Sequence, residues 1–190
     1  MTADDVLTFW LDEIGEKGWY DASDRIDAAC RDRFRPAWDE AERLSAEWSG
    51  TAKGALAALI LTDQFPRNMF RNDARSFATD KLARRTAAKA IEAGFDMETD
   101  EPARQFFYMP FMHSEEMGDQ NHAVALFEER MPGDNLRHAR LHRDVIRRFG
   151  RFPWRNEVLG RETTPQERAF LEQGGYGAMV QGRLSLADPE

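Results

Sequence analysis

Apolar positions recur along this chain at intervals of three and four residues. From Ser23 to Trp48 they fall at Ile26, Cys30, Phe34, Trp38, Ala41, Leu44 and Trp48, a single stripe with Asp, Glu and Arg on the other faces, and that spacing predicts one long helix. A second helix is predicted from Ala52 to Phe65 through Leu56, Leu59 and Ile60. A third, Ser76 to Ala93, is rich in alanine (Ala78, Ala83, Ala87, Ala90), so that a neighbour can approach closely, and Gly94 stops it. Met117, Gln120, Val124, Phe127 and Met131 mark the next, closed by Pro132 and Gly133, and Leu141, Val145 and Phe149 mark another over Asp134 to Phe149. Thr164-Pro165-Gln166-Glu167 has the form of a capping box with proline at the first helical position, which starts a short last helix. No segment alternates with period two for long enough to make a strand. The pattern predicts an all-α protein of antiparallel helical hairpins, because the connections are short.

Length and composition change little in that picture. The chain has 190 residues, 42% of them hydrophobic and 11% aromatic, enough for one ordinary domain with its own core and too apolar for a disordered chain. The expected organisation is a single α-helical domain over residues 1–190, with a core from about 6 to 177 and a loosely held tail at 178–190. The one cysteine, Cys30, excludes a disulfide framework and a Cys-rich metal or cluster site, and it points to a reducing compartment. The acidic start, Met1 to Asp5, lacks the layout of a signal peptide. The apolar run Ala55 to Thr62 is too short to span a bilayer. A cytoplasmic protein with no membrane partner and no cofactor is the expectation.

Polar residues that interrupt the stripes are the candidates for chemistry, since a polar group on an apolar face must find partners or shift its pKa. Asp63 continues the stripe of Leu59 and Ile60, and Arg67 lies one turn on, placed to pair with it as a buried ion pair. Gln120 and His142 interrupt two later helices. Each is equally accounted for as a core group tying helices together. His113-Ser114-Glu115-Glu116 follows a helix-breaking Pro110. Ser114 reads as the cap of the next helix, with both glutamates in its first turn. The alternative makes His113 a general acid or base oriented by Glu115 or Asp63. A serine triad is disfavoured because Ser114 adjoins His113 and no nucleophile elbow is present. His138 and His142 share one helical face at ligand spacing, but arginines crowd that helix and no metal is assigned.

Charge is unevenly spread. The chain is net −8, yet from Arg137 to Arg161 eight arginines face one aspartate and one glutamate. Arg67, Arg71, Arg148, Arg151 and Arg155 therefore become candidates for an anion site, because a guanidinium binds carboxylate or phosphate bidentately. Phe65-Pro66-Arg67-Asn68 is echoed by Phe152-Pro153-Trp154-Arg155-Asn156, which places an arginine and an asparagine after a helix break twice. The echo is also explained by proline ending a helix and asparagine capping the next turn. Nucleic acid is a poor partner: the global charge is wrong and no basic stripe carries interleaved exposed aromatics.

Three motifs taken together carry a resemblance. Asp63-Gln64-Phe65-Pro66-Arg67-Asn68, Tyr108-Met109-Pro110-Phe111-Met112-His113-Ser114-Glu115 and Arg148-Phe149-Gly150-Arg151-Phe152-Pro153-Trp154-Arg155-Asn156, the last with Leu159-Gly160-Arg161, resemble the signatures of the bacterial DUF924 family. Val6-Leu7-Thr8-Phe9-Trp10 and Trp19-Tyr20 fit its start, and the resemblance runs from Val6 to about Gly177. It implies a helical fold similar to tetratricopeptide-repeat proteins, stacked right-handed, with no established activity. One position departs: Trp154 stands where the family pattern usually has His.

Three functions stay open. The first is a binding module for an anionic small molecule or peptide carboxylate, using Arg67, Asn68, Arg71, Tyr108, Gln120, His142, Arg148, Arg151, Arg155 and Asn156. The second is a hydrolase using His113 with Glu115 or Asp63. The third is a scaffold whose polar motifs only knit the helices.

Overall fold

A computed structural model describes residues 1–21 and 23–186. Among them 69% are helical and none forms a strand. The chain divides into two compact units, Met1–Pro110 and Phe111–Glu190.

The first unit opens with α1 (Ala3–Leu7). Thr2 and Asp5 cap it reciprocally: the Thr2 hydroxyl accepts the Asp5 N–H at 3.2 Å, and the Asp5 carboxylate accepts the Thr2 N–H at 2.7 Å. It continues as a π-helix over Thr8–Ile14 and stops at Gly15, whose φ of 67° suits glycine. The stripe read as one helix from Ser23 to Trp48 is two, α2 (Asp24–Asp39) and α3 (Ala41–Trp48), broken at Glu40. Pro36 lies inside α2 and leaves the Asp32 carbonyl without its usual donor, which weakens the last turn before the break.

The next stripe forms α4 (Ala52–Leu59), a π-helical stretch Ile60–Gln64 and α5 (Phe65–Met69), wound without interruption. Pro66 explains the local widening. It has no N–H for the Thr62 carbonyl four residues back and its ring crowds that carbonyl. The freed oxygen accepts the Thr79 hydroxyl at 2.6 Å, and Trp38 Nε1 donates to Thr79 Oγ1 at 3.2 Å. α6 (Asp80–Glu92) follows, with Ala83, Ala87 and Ala90 all buried. The core is aromatic: Phe34 lies 4.9 Å from Phe9 and 4.6 Å from Phe65, while Trp10 meets Phe65 edge-on at 5.5 Å. The boundary between the units falls within the short α7 (Met109–Met112).

The second unit is built on the hairpin of α8 (Met117–Arg130) and α9 (Asp134–Phe149), followed by α10 (Pro165–Glu172) and α11 (Gly175–Val180). The Thr164–Glu167 capping box forms as the sequence predicts. Val145, Ile146, Phe152, Phe170 and Met179 make the core, with Leu184 and Leu186 packed on it. Within the segment expected to form the tail, Ala178 and Met179 are buried. Residues 187–190 lie outside the described residues.

Candidate functional site

Most of the candidate arginines are committed to neighbours inside their own unit. In the first unit Asp63 is 1% exposed and sits 3.3 Å from Arg67, which also reaches Asp80 at 3.0 Å. Gln64 donates to the Asp63 carboxylate at 2.6 Å. The expected buried pair is present, with a second carboxylate added. Arg71 clamps the buried Asp27 bidentately at 2.6 and 2.8 Å, and Asn68 donates to the same group at 2.9 Å. Burial pushes the Asp27 carboxyl up, but Arg71 and Asn68 outweigh it and the net shift is downward. Tyr108 is fully buried and donates to Asp96 at 2.7 Å.

The second unit repeats this chemistry in another order. Arg151 clamps the buried Glu167 at 2.6 and 2.9 Å, and Asn156 donates to it at 3.3 Å. Arg151, opposed by desolvation and aided by Thr164, holds the Glu167 carboxyl at about 2. The Phe-Pro echo thus supplies each unit with the asparagine of an internal clamp, Asn68 or Asn156, while the arginine that grips the same buried carboxylate, Arg71 or Arg151, lies outside the echo. Arg155 donates to the His113 carbonyl at 2.9 Å, its guanidinium 4.5 Å from the centre of the Phe152 ring.

The segment around His113 departs from the expected layout. Helix α8 starts at Met117, so Glu115 and Glu116 precede it rather than filling its first turn. Ser114 accepts the Glu116 N–H at 3.1 Å and donates to Asp119 at 2.6 Å, which makes a turn ahead of the helix. Both Glu115 oxygens are spent. Arg161 takes them at 2.9 and 2.7 Å, and the Phe152 N–H adds a third bond at 2.9 Å. Burial raises the Glu115 pKa, but those three bonds and the nearby Arg155 hold it below the ordinary carboxylate value. Gln120 is fully buried and donates to the carbonyls of Met112 and Ser114 at 2.7 and 2.6 Å.

His142 lies among rings: Tyr176 at 4.5 Å, Phe152 at 5.4 Å, Trp154 at 6.1 Å and His113 at 6.4 Å between centroids. Its Nδ1 faces the His138 carbonyl at 2.9 Å. A carbonyl only accepts, so the neutral ring carries its proton on Nδ1. Desolvation among these rings pulls the imidazole down to about 3; His113, Arg155 and His138 add to that and the bond to the His138 carbonyl opposes it. A base that weak removes no proton usefully near neutrality. The companion His138 bonds the Tyr176 hydroxyl through Nδ1 at 2.5 Å.

One cleft remains. It measures about 480 Å³ and is lined by Arg148, Phe149, Arg151, Thr164, Gln166 and Glu167. Of the eight arginines between Arg137 and Arg161, six are tied internally: Arg137 to the Val180 carbonyl, Arg140 to Glu128, Arg147 to Asp144, Arg151 to Glu167, Arg155 to His113 and Arg161 to Glu115. Among the described residues only Arg143 and Arg148 have no such partner, and of these two Arg148 faces the cleft. Sequence reasoning named Arg148 and Arg151 but gave no sign that they differ from the other arginines.

A family model described as "Bacterial protein of unknown function (DUF924)" matches residues 6–175. A solved structure of a protein of unknown function from Agrobacterium tumefaciens is similar at 45% identity, covering 90% of this chain and 97% of its own, with a TM-score of 0.86. No curated protein matches.

Proposed function

Since the chain belongs to the DUF924 family, bacterial proteins without an assigned activity, its role rests on its own residues, and we propose that its second unit binds an anionic small molecule or a peptide carboxylate in the Arg148–Arg151 cleft. The observation that carries this reading is the exposed Arg148 guanidinium, unpaired among the described residues, beside Arg151 in a concavity of about 480 Å³. That volume is at the small end of ligand sites. Glu167 also lines the cleft, but Arg151 clamps and neutralises it, so Arg148 leaves a net positive charge. Gln166 and Thr164 supply polar side chains at the rim. Arg67, Arg71 and Arg155 serve the fold instead, as their buried partners indicate.

Location and repeat geometry belong to the same reading. The lone Cys30 is buried and suits the reducing cytoplasm. Among the described residues no helix is long and apolar enough to cross a membrane. The short connections within each unit suit tetratricopeptide-like hairpins.

The test is calorimetric titration with citrate at fixed ionic strength, on the parent and on Arg148→Met. The variant removes an exposed side chain without breaking an internal pair, so it keeps the parent's stability. One charge-assisted contact is worth roughly 1.5–3 kcal/mol, and the variant should bind about ten- to a hundredfold more weakly. Equal binding by the two proteins, or no binding by the parent, contradicts the proposal.

A further inference from the structure

A second cavity, of about 620 Å³ and lined by none of the candidate residues, lies in the first unit. Three pieces of chain form it: one side of the opening helix between Asp4 and Asp12, the start of α4 between Thr51 and Leu56, and Glu98 with Thr99 after α6. Leu7, Leu11 and Leu56 give it an apolar floor. Leu7 keeps 7% of its surface and Leu56 4%, so a slender group reaches them and a broad protein face does not.

The charged lining has one sign in excess. Asp4, Asp12 and Glu98 stand against Lys53 alone. Lys53 meets Asp4 at 2.8 Å, which leaves Asp12 and Glu98 uncompensated. Both are exposed, and neither has a hydrogen bond or an ion pair among the described residues. Elsewhere in the same unit the pattern is the reverse, since Asp27 and Asp63 each have an arginine beside them.

Hydrocarbon at the bottom and unbalanced negative charge in the wall are complementary to a molecule that is apolar along its length and cationic at one end. A metal ion is not such a molecule. It gains nothing from the leucines, and among the described residues no three His, Cys, Asp or Glu side chains are grouped to hold one. The volume lies within the range of small-molecule sites.

We propose that this cavity binds a small aliphatic amine, a primary ammonium on a linear hydrocarbon chain. The chain lies on Leu7, Leu11 and Leu56, and the carboxylates of Asp12 and Glu98 attract the ammonium. The leucines supply affinity through burial of methylenes, and the two carboxylates select the cation over a neutral chain of the same length.

The probe is hexylamine, cationic near neutral pH, and its control is 1-hexanol, which has the same chain without the charge. Both are titrated into the full chain at fixed ionic strength while the methyl resonances of Leu7, Leu11 and Leu56 are followed. An apolar floor alone favours the uncharged alcohol, so a preference for the amine reports the carboxylates. Exposed ion pairs are weak, and 1-hexanol should bind about three- to tenfold more weakly than hexylamine. Ethylamine, four methylenes shorter, should bind weaker than hexylamine by about tenfold or more. Asp12→Asn with Glu98→Gln alters exposed positions only and should erase the preference for the amine. Equal or tighter binding of 1-hexanol by the parent, ethylamine binding as well as hexylamine, or a preference that survives the double variant would each overturn the proposal. So would leucine methyls that stay unmoved at about 10 mM hexylamine, a concentration that reveals even a millimolar site.

Discussion

Asn68 and Asn156 perform one task in two places: each donates its side-chain amide to a buried carboxylate that an arginine also grips. Asn68 meets Asp27 at 2.9 Å beside Arg71, and Asn156 meets Glu167 at 3.3 Å beside Arg151. The order along the chain differs, since Arg71 follows its asparagine and Arg151 precedes its own. Equivalent chemistry is therefore reached without an equivalent backbone path. If the clamps are structural, Asp27→Ala should lower stability by about 2–3 kcal/mol, the range for bonds to a charged group when the partner stays partly solvated. Urea unfolding measures this, and a change below about 0.5 kcal/mol would remove the clamp from the account.

The Thr62–Thr79 contact gives a second prediction. The Thr62 carbonyl is available to Thr79 because Pro66 brings no N–H to it. Thr79→Val should cost about 1–2 kcal/mol. In a Pro66→Ala background the new N–H can take over that carbonyl, so the same change should cost less. A double-mutant cycle with no coupling would mean that the π-helical stretch at Ile60–Gln64 has another origin.

Arg67 has two carboxylates, and this sets the size of the Asp63 effect. Sequence reasoning expects Asp63→Ala to strand a buried cation at about 3–5 kcal/mol. Asp80, 3.0 Å from Arg67, softens that loss. The single variant should fall nearer about 2 kcal/mol, and Asp63→Ala with Asp80→Ala should exceed the sum of the two singles. Additive costs in thermal melts would show that Asp80 does not compensate.

Acid should destabilise the second unit in two stages. His142 has a folded pKa of about 3 against an ordinary value near 6.5. Below about pH 6.5 the unfolded chain takes a proton that the folded one refuses, so stability falls with pH at up to about 1.4 kcal/mol per unit, levelling off near pH 3. Glu167 adds a second loss. Its folded pKa is depressed to about 2, so its contribution is whole above the unfolded pKa and disappears as pH drops from about 4.5 towards 2. His142→Phe should flatten the curve between about pH 6.5 and 4.5 and leave the lower stage in place. An unchanged upper slope would assign that stage to another group.

How much of this was legible in the sequence depended on whether the signal was local. Helix α9 was read with the bounds it has, because Gly133 and Gly150 frame an unbroken stripe, and Thr164 to Glu167 declared the start of α10. The break at Glu40 was hidden because the apolar phase carries across it from Phe34 through Ala41 to Leu44. The two π-helical stretches were invisible to a period of three and four, although Pro66 was the cue for one of them. Ser114 was misread as a helix cap because capping residues also build turns. In the site, arginine types and positions were plain, but which of them would find a carboxylate was not. Arg151 meets Glu167 and Arg161 meets Glu115 across loops, and only folding leaves Arg148 over.

The freedom of Arg148 to receive an anion is the central claim, and the side-chain Nε resonances test it most directly. Inorganic phosphate is titrated into the ¹⁵N-labelled protein at constant ionic strength while Arg148, Arg151 and Arg71 are followed. The Arg148 and Arg151 signals should move along one saturating curve with a shared dissociation constant, and Arg71, held by Asp27, should stay still. Absence of movement at Arg148, or a linear drift of all three signals together, would contradict the account.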